Sequence, residues 1–138
     1  MPVLASIKPL TWENSFFALN SGLLDFSVPQ PLTSEQLAAF DVVQAKLHSH
    51  QTAGIDALSA LGFQLVEGEA DLSLTISGTQ RQSGIRIARP EHIAQLRAVA
   101  SEAFSQSRFR APWYQPGDSG RFYAQWVENA VRGSFDHQ

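Results

Sequence analysis

This chain of 138 residues contains no cysteine and only two lysines, and it has no long apolar run. The absence of cysteine excludes disulfides and thiolate metal sites, and it is typical of proteins in a reducing cytoplasm. No apolar run approaches the roughly 20 residues that a membrane-spanning helix needs. The start, MPVLASIKPL, lacks the basic flank and long apolar core of a signal peptide. We therefore expect a cytoplasmic protein without a membrane span.

The charges are unevenly distributed along the chain, although the net charge is only −3. Residues 1–79 contain both lysines and eight acidic residues, a net charge of −6, whereas residues 80–138 contain all eight arginines and have a net charge of +3. The guanidinium group of arginine matches phosphate and carboxylate geometry, so the second part favours a small anionic ligand. A nucleic-acid partner is not expected, because it requires a much more basic domain. The alternative to an anion-binding role is that the eight arginines are solvent-exposed surface residues.

The hydrophobic pattern predicts a mixed α/β chain of the α+β class. Alternating apolar residues predict strands over 3–7, 22–28, 43–47, 63–76 and 85–89. Apolar residues at helical spacing, with suitable ends, predict helices over 34–40, 55–61, 90–104 and 119–132. Residues 10–20 are too aromatic and too broken for a surface helix.

A linker composition at residues 77–84, SGTQRQSG, coincides with the change in charge. We therefore predict two domains, a small α/β domain over residues 1–79 and a second domain over residues 80–138. The glycines of this linker do not form a phosphate-binding loop, because a predicted strand follows them rather than a helix.

The strongest candidate site is the segment RFRAPWY, between the last two predicted helices. Prolines keep this segment out of a helix, and loops on a rigid scaffold often carry binding residues. Arg108 and Arg110 could hold phosphates while Trp113 or Tyr114 stacks on a base or a sugar. In the alternative, Phe109, Trp113 and Tyr114 pack the loop into the core. The residues alone leave both interpretations open, and the candidate substrate-binding residues are Arg108, Arg110, Trp113 and Tyr114.

The four histidines give no comparable signal. His48 and His50 would share one face of a strand, but a four-coordinate metal site needs further ligands, and a solvated strand end is the stronger interpretation. His92 and His137 have no evident acidic or nucleophilic neighbour in the sequence. We predict no metal and no catalytic residue in this chain.

Longer stretches resemble a known enzyme family. They are LTWENSFFALN, VQAKL, LGFQLVEGEADLSL and AFSQSRFRAPWYQPGDSGRFYAQWVENAVRGSFDHQ. They are similar to the N-terminal half of the dTDP-4-amino-4,6-dideoxygalactose N-acetyltransferases of enterobacterial common antigen synthesis, which belong to the GNAT superfamily. The resemblance covers nearly the whole chain.

This resemblance implies an N-terminal fragment of an acetyl-CoA-dependent enzyme. Residues 80–138 would be the first strand, helix, loop and helix of an incomplete GNAT domain, without the loop that holds the CoA pyrophosphate. The isolated chain is then expected to be inactive. In the family the loop between the first two helices borders the acceptor site, which favours contacts with the dTDP-sugar from the arginine-rich segment. A standalone nucleotide-sugar-binding or interaction module is the alternative, and a homodimer that pairs or exchanges elements of residues 80–138 stays open.

Overall fold

The computed structural model describes residues 2–78 and 83–134. Within these ranges the fold combines five α-helices with a three-stranded sheet, which confirms the predicted α+β class. The strands are β1 (Ser6–Pro9), β2 (Ser21–Asp25) and β3 (Val42–Gln44). The helices are α1 (Thr11–Phe17), α2 (Ser34–Ala38), α3 (Thr52–Ala60), α4 (Ile93–Ala103) and α5 (Asp118–Arg132). A single 3-10 turn, Pro90–His92, precedes α4.

The chain forms two compact units, Met1–Leu65 and Val66–Gln138. The predicted domain boundary between residues 79 and 80 lies outside the described residues, as does His137, and the two-domain division at that point stays a prediction. No helix in the described part of the chain is long and apolar enough to cross a membrane.

The first unit is organised around the sheet, whose order is β1-β2-β3. β1 runs antiparallel to β2, with Ile7 opposite Leu24, and β3 runs parallel to β2, with Val43 opposite Gly22. Gly22 occupies this central strand because a Cβ atom there would overlap the Cγ2 atom of Ile7. The close approach of the Ile7 side chain to Gly22 therefore supports the register that the hydrogen bonds of the strands define.

The apolar core of the first unit lies against this sheet. Its buried members are Val3, Ala5, Leu24 and Leu58. Partly buried residues from the neighbouring segments complete it, namely Ile7, Leu32, Val43, Ala45, Leu47, Ala57 and Phe63. The core therefore joins residues from both ends of this unit.

A polar contact ties α1 to the start of β2. Ser21 is fully buried, and its backbone N–H and hydroxyl both donate to the side-chain oxygen of Asn14, at 2.7 Å and 2.5 Å. The Asn14 amide donates in return to the Ser21 carbonyl at 3.2 Å. Because buried polar groups without partners are costly, this reciprocal arrangement stabilises the turn between the two elements.

Local capping signals correctly indicated the helix over 34–40, whereas the interpretation of residues 10–20 was wrong. At α2, Thr33 and Gln36 form a reciprocal capping box. At α1, Trp12 and Phe16 stack one turn apart at 5.0 Å, and Ala18 ends the helix in a left-handed conformation. Aromatic residues four positions apart stabilise a helix, so the aromatic content that counted against α1 instead supports it.

The predicted strands over 63–76 and 85–89 are also wrong, since both segments lie in irregular structure. Their alternating apolar side chains are largely exposed: Leu65, Leu72, Leu74, Ile76, Ile85 and Ile87. Alternation shows that a segment could bury one face, but a strand also needs a neighbouring backbone for its hydrogen bonds. Among the described residues, neither segment joins the sheet.

In the second unit, α4 and α5 pack against each other. Gly120 permits the close approach, because a Cβ atom there would lie 3.0 Å from the carbonyl oxygen of Ser101. Arg97 adds a 2.8 Å ion pair across the helices to Glu128, which also contacts Arg132 one turn later. Gly133 ends α5 in the left-handed conformation that favours glycine, consistent with the helix predicted over 119–132.

Candidate functional site

The predicted substrate-binding segment lies in the connection between α4 and α5. Its turn is closed by the Arg110 carbonyl, which accepts hydrogen bonds from the backbone N–H groups of Trp113 and Tyr114, at 3.1 Å and 3.0 Å. The Ala111–Pro112 peptide bond within the turn is cis. At the far end, the buried Asp118 carboxylate accepts a 2.9 Å hydrogen bond from the Gln115 N–H, so the connection is fixed to the start of α5.

Phe109 anchors the connection in the core of the second unit. Its side chain is only 2% exposed. The ring meets those of Tyr114, Phe122 and Tyr123, with centroids 5.2 Å, 4.3 Å and 6.3 Å away. These tilted and edge-to-face arrangements are the favourable ones for aromatic rings. The packing alternative considered for this segment therefore applies to Phe109 and to Tyr114, which is 5% exposed.

Hydrogen bonds of Ser107 support the buried position of Phe109. The buried Ser107 hydroxyl accepts from the Phe109 backbone N–H at 3.1 Å and lies 3.3 Å from the Tyr123 hydroxyl. The Phe109 backbone N–H would otherwise be buried without a hydrogen-bond partner, and the Ser107 hydroxyl supplies this partner.

Arg108 binds a carboxylate that the sequence did not associate with it. Its backbone N–H donates to Oε2 of Glu67 and its Nη1 donates to Oε1, both at 2.9 Å. The guanidinium carbon lies 4.3 Å from the centre of the Phe109 ring and 5.9 Å from that of Phe122. Arg108 therefore combines an ion pair with cation–π contacts, and about a third of each charged side chain stays exposed, 29% for Arg108 and 34% for Glu67.

Arg110 and Trp113 form the outer part of the loop. The Arg110 guanidinium carbon lies 5.2 Å from the centre of the Trp113 ring, and its Nη1 donates to the Ala111 carbonyl at 3.1 Å. Arg110 is exposed and Trp113 is partly exposed. The guanidinium group therefore lies over one face of the Trp113 ring, and both side chains reach the surface of the loop.

The four predicted residues are therefore close together but in different surroundings. Arg110 and Trp113 are accessible, Arg108 is engaged with Glu67, and Tyr114 is buried. Their assignment to substrate binding stays a prediction. Glu67 was missed because it lies 41 positions away from Arg108, and no local spacing predicts a contact between residues so far apart.

The histidine pair lies in irregular structure and in a turn beyond the end of β3. The rings of His48 and His50 stack with their centres 5.5 Å apart. Among the described residues no group of three or more histidine, cysteine or acidic side chains could hold a metal ion.

Comparisons with known proteins bear on the resemblance seen in the sequence. No protein-family model matches the chain. The whole chain aligns with a protein named dTDP-fucosamine acetyltransferase from Escherichia coli O6:H1 (strain CFT073), with 56% identity over 139 residues. This similarity confirms the resemblance. The chain spans 62% of the length of that relative.

Proposed function

We propose that this chain is the N-terminal part of an acetyl-CoA-dependent N-acetyltransferase of the GNAT superfamily. Its substrate would be dTDP-4-amino-4,6-dideoxygalactose (dTDP-fucosamine), acetylated on the 4-amino group during enterobacterial common antigen biosynthesis. The observation that carries the proposal is the 56% identity, over the whole chain, to a protein named for this activity.

The proposed reaction is an acyl transfer from sulfur to nitrogen. The lone pair of the neutral sugar amine attacks the thioester carbonyl carbon, and the carbonyl electrons move onto oxygen. The oxyanion then re-forms the carbonyl as the carbon–sulfur bond breaks, and the released thiolate takes up a proton while the new amide nitrogen loses one. We assign no catalytic group to this chain, because none of its residues matches a catalytic position of the family.

The role proposed for this chain is to bind the sugar nucleotide through the loop between α4 and α5. Arg110 offers a guanidinium group suited to phosphate, and Trp113 offers a surface suited to a base or a sugar ring. Because the Arg110 guanidinium lies over one face of the Trp113 ring, 5.2 Å from its centre, a base or sugar would stack on the opposite face while Arg110 contacts a phosphate. Arg108 would contribute once its contact with Glu67 is replaced, and a direct contact from the buried Tyr114 would require the loop to move.

The exposed apolar segments support the view that a longer chain is needed for activity. Leu72, Leu74 and Ile76 are each at least 77% exposed, although they alternate as in a strand with one buried face. Burial of such surface is a main stabilising contribution to folding, so further protein would be expected to cover it. We therefore expect no acetyl transfer by the 138-residue chain alone.

This inactivity can be tested by following the release of free thiol from acetyl-CoA in the presence of dTDP-fucosamine. The 138-residue chain should give no turnover above the enzyme-free reaction. A dTDP-sugar that lacks the amino group controls for simple thioester hydrolysis. Amine-dependent thiol release by the 138-residue chain would overturn the assignment of the chemistry to other parts of the protein.

The role of the loop can be tested separately with the double variant Arg108→Ala/Arg110→Ala in a chain extended to the length of the relative. We expect weaker binding of the dTDP-sugar and nearly unchanged binding of acetyl-CoA in calorimetric titrations. Arg132→Ala is a matched control, because it removes an exposed arginine from the end of α5, away from the loop. Unchanged nucleotide affinity in the double variant would show that neither arginine binds the dTDP-sugar and that both are structural or simply solvent-exposed.

A further inference from the structure

The pair formed by Glu67 and Arg108 has the chemistry of an occupied anion site. One carboxylate oxygen accepts from a backbone N–H and the other from a guanidinium nitrogen, both at 2.9 Å. Anions are commonly held by this combination of a main-chain donor and an arginine. The two donors come from one residue, so their separation is set by the conformation of Arg108 alone.

Two aromatic rings support the site on the arginine side. The guanidinium group lies over Phe109, which is 2% exposed, and near Phe122. These rings restrict the arginine side chain, so its donors remain in place if the carboxylate leaves. A phosphate presents its oxygens to a guanidinium group in nearly the same geometry as a carboxylate.

The carboxylate side is held much less firmly. Glu67 lies in residues 64–77, which form neither helix nor strand. Its displacement would therefore break no hydrogen bond of a helix or a sheet. About a third of each charged side chain is exposed, so that a ligand in solution can reach the pair.

We propose that Glu67 is an internal substitute for the phosphate of a nucleotide ligand, and that it competes with this ligand for Arg108. The proposal rests on the proposed binding of a nucleotide sugar by the same loop. It adds a regulatory element, because the apparent affinity for the ligand is reduced by the fraction of molecules in which Glu67 occupies the site. Removing the charge of Glu67 should thus strengthen binding of the ligand.

The test is a calorimetric titration of the 138-residue chain with inorganic pyrophosphate and, separately, with dTDP at an ionic strength of about 0.15 M, where the screening length is about 8 Å. The variant Glu67→Gln should bind both ligands about 3- to 5-fold more tightly than the unmodified chain, the upper part of the range expected for the loss of a partly exposed ion pair. The matched control Asp71→Asn removes the same charge from the same exposed segment and should change the affinity less than about 2-fold, because screening weakens distant surface charges.

The variant Arg108→Ala tests whether the increased affinity of Glu67→Gln arises at Arg108. In this variant the affinity should fall, and adding Glu67→Gln should give no further change. Circular dichroism of each variant establishes that the helices are retained, so a loss of binding is not mistaken for unfolding. An unchanged or weaker affinity in Glu67→Gln, or a gain of equal size in Asp71→Asn, would overturn the proposal.

The results distinguish a failure of the competition between Glu67 and the ligand from a failure of the proposed acetyltransferase function. If an extended chain acetylates dTDP-fucosamine but Glu67→Gln does not strengthen binding in the 138-residue chain, only the competition is wrong. If pyrophosphate and dTDP bind to neither the unmodified chain nor Glu67→Gln, the competition is wrong as well. Failure of acetyl transfer by the extended chain would instead refute the proposed function.

Discussion

Replacing Phe109 with alanine tests whether the connection between α4 and α5 depends on one buried ring. Phe109 is 2% exposed and meets the rings of Tyr114, Phe122 and Tyr123. Truncation of a buried phenylalanine to alanine typically costs about 3–5 kcal/mol. Each favourable aromatic pair adds about 0.5–1.5 kcal/mol beyond the burial of area, so we expect the upper part of that range, about 4–5 kcal/mol. This loss is comparable with the whole stability of many small domains, about 5–15 kcal/mol.

Phe104→Ala is the matched control for this experiment. Phe104 stacks on Tyr123 at 4.3 Å in the same group of rings, but it is 46% exposed. Its replacement should cost only about 1–2 kcal/mol, because roughly half of its surface is already in contact with water. Urea unfolding, followed by circular dichroism, gives the free energy of unfolding for both variants. A difference between them of less than about 1 kcal/mol would show that Phe109 does not anchor the loop.

Three further substitutions test other contacts. Gly120→Ala should lower the free energy of unfolding by about 1 kcal/mol, because crowding of the added Cβ atom, 3.0 Å from the Ser101 carbonyl oxygen, outweighs the roughly 0.5–1 kcal/mol that alanine gains over glycine in a helix; a rise in thermal stability would contradict the close packing of α4 and α5. Thr33→Ala should cost about 1 kcal/mol in urea unfolding through loss of the capping box, and no loss would mean that the box is not formed in solution. The Ser27 hydroxyl and backbone N–H donate to the Asp25 carboxylate and lower the pKa of Asp25 below 3.8. The ionised Asp25 therefore contributes to stability above that pH, and this contribution is lost as the pH falls through the folded-state pKa. Ser27→Ala should raise the pKa of Asp25 in an NMR titration, and an unchanged value would contradict this cause.

Features that depend on neighbouring residues could be predicted from the sequence. The capping box at Thr33 and the glycine that ends α5 both act within one helical turn, and both are found in the structure. These features were accessible because a spacing of three or four residues largely determines which groups can meet.

Features that depend on distant partners could not be predicted. The alternation in residues 63–76 and 85–89 indicated strands, but pairing requires a second backbone whose identity no local pattern reveals. In the same way, nothing near Arg108 pointed to Glu67, which lies 41 positions earlier. The packing of Phe109 and Tyr114 was weighed as an alternative, but only the arrangement of α4 and α5 around them decides that these rings are buried.

The most direct test of the proposed function uses a chain extended to the length of the relative. Such a protein is incubated with acetyl-CoA and dTDP-fucosamine, and the sugar nucleotide is analysed by mass spectrometry for an added acetyl group and by NMR for its position. We expect acetylation on the 4-amino group, with one thiol released for each amide formed. A folded extended chain that binds acetyl-CoA but leaves dTDP-fucosamine unmodified would contradict the assignment.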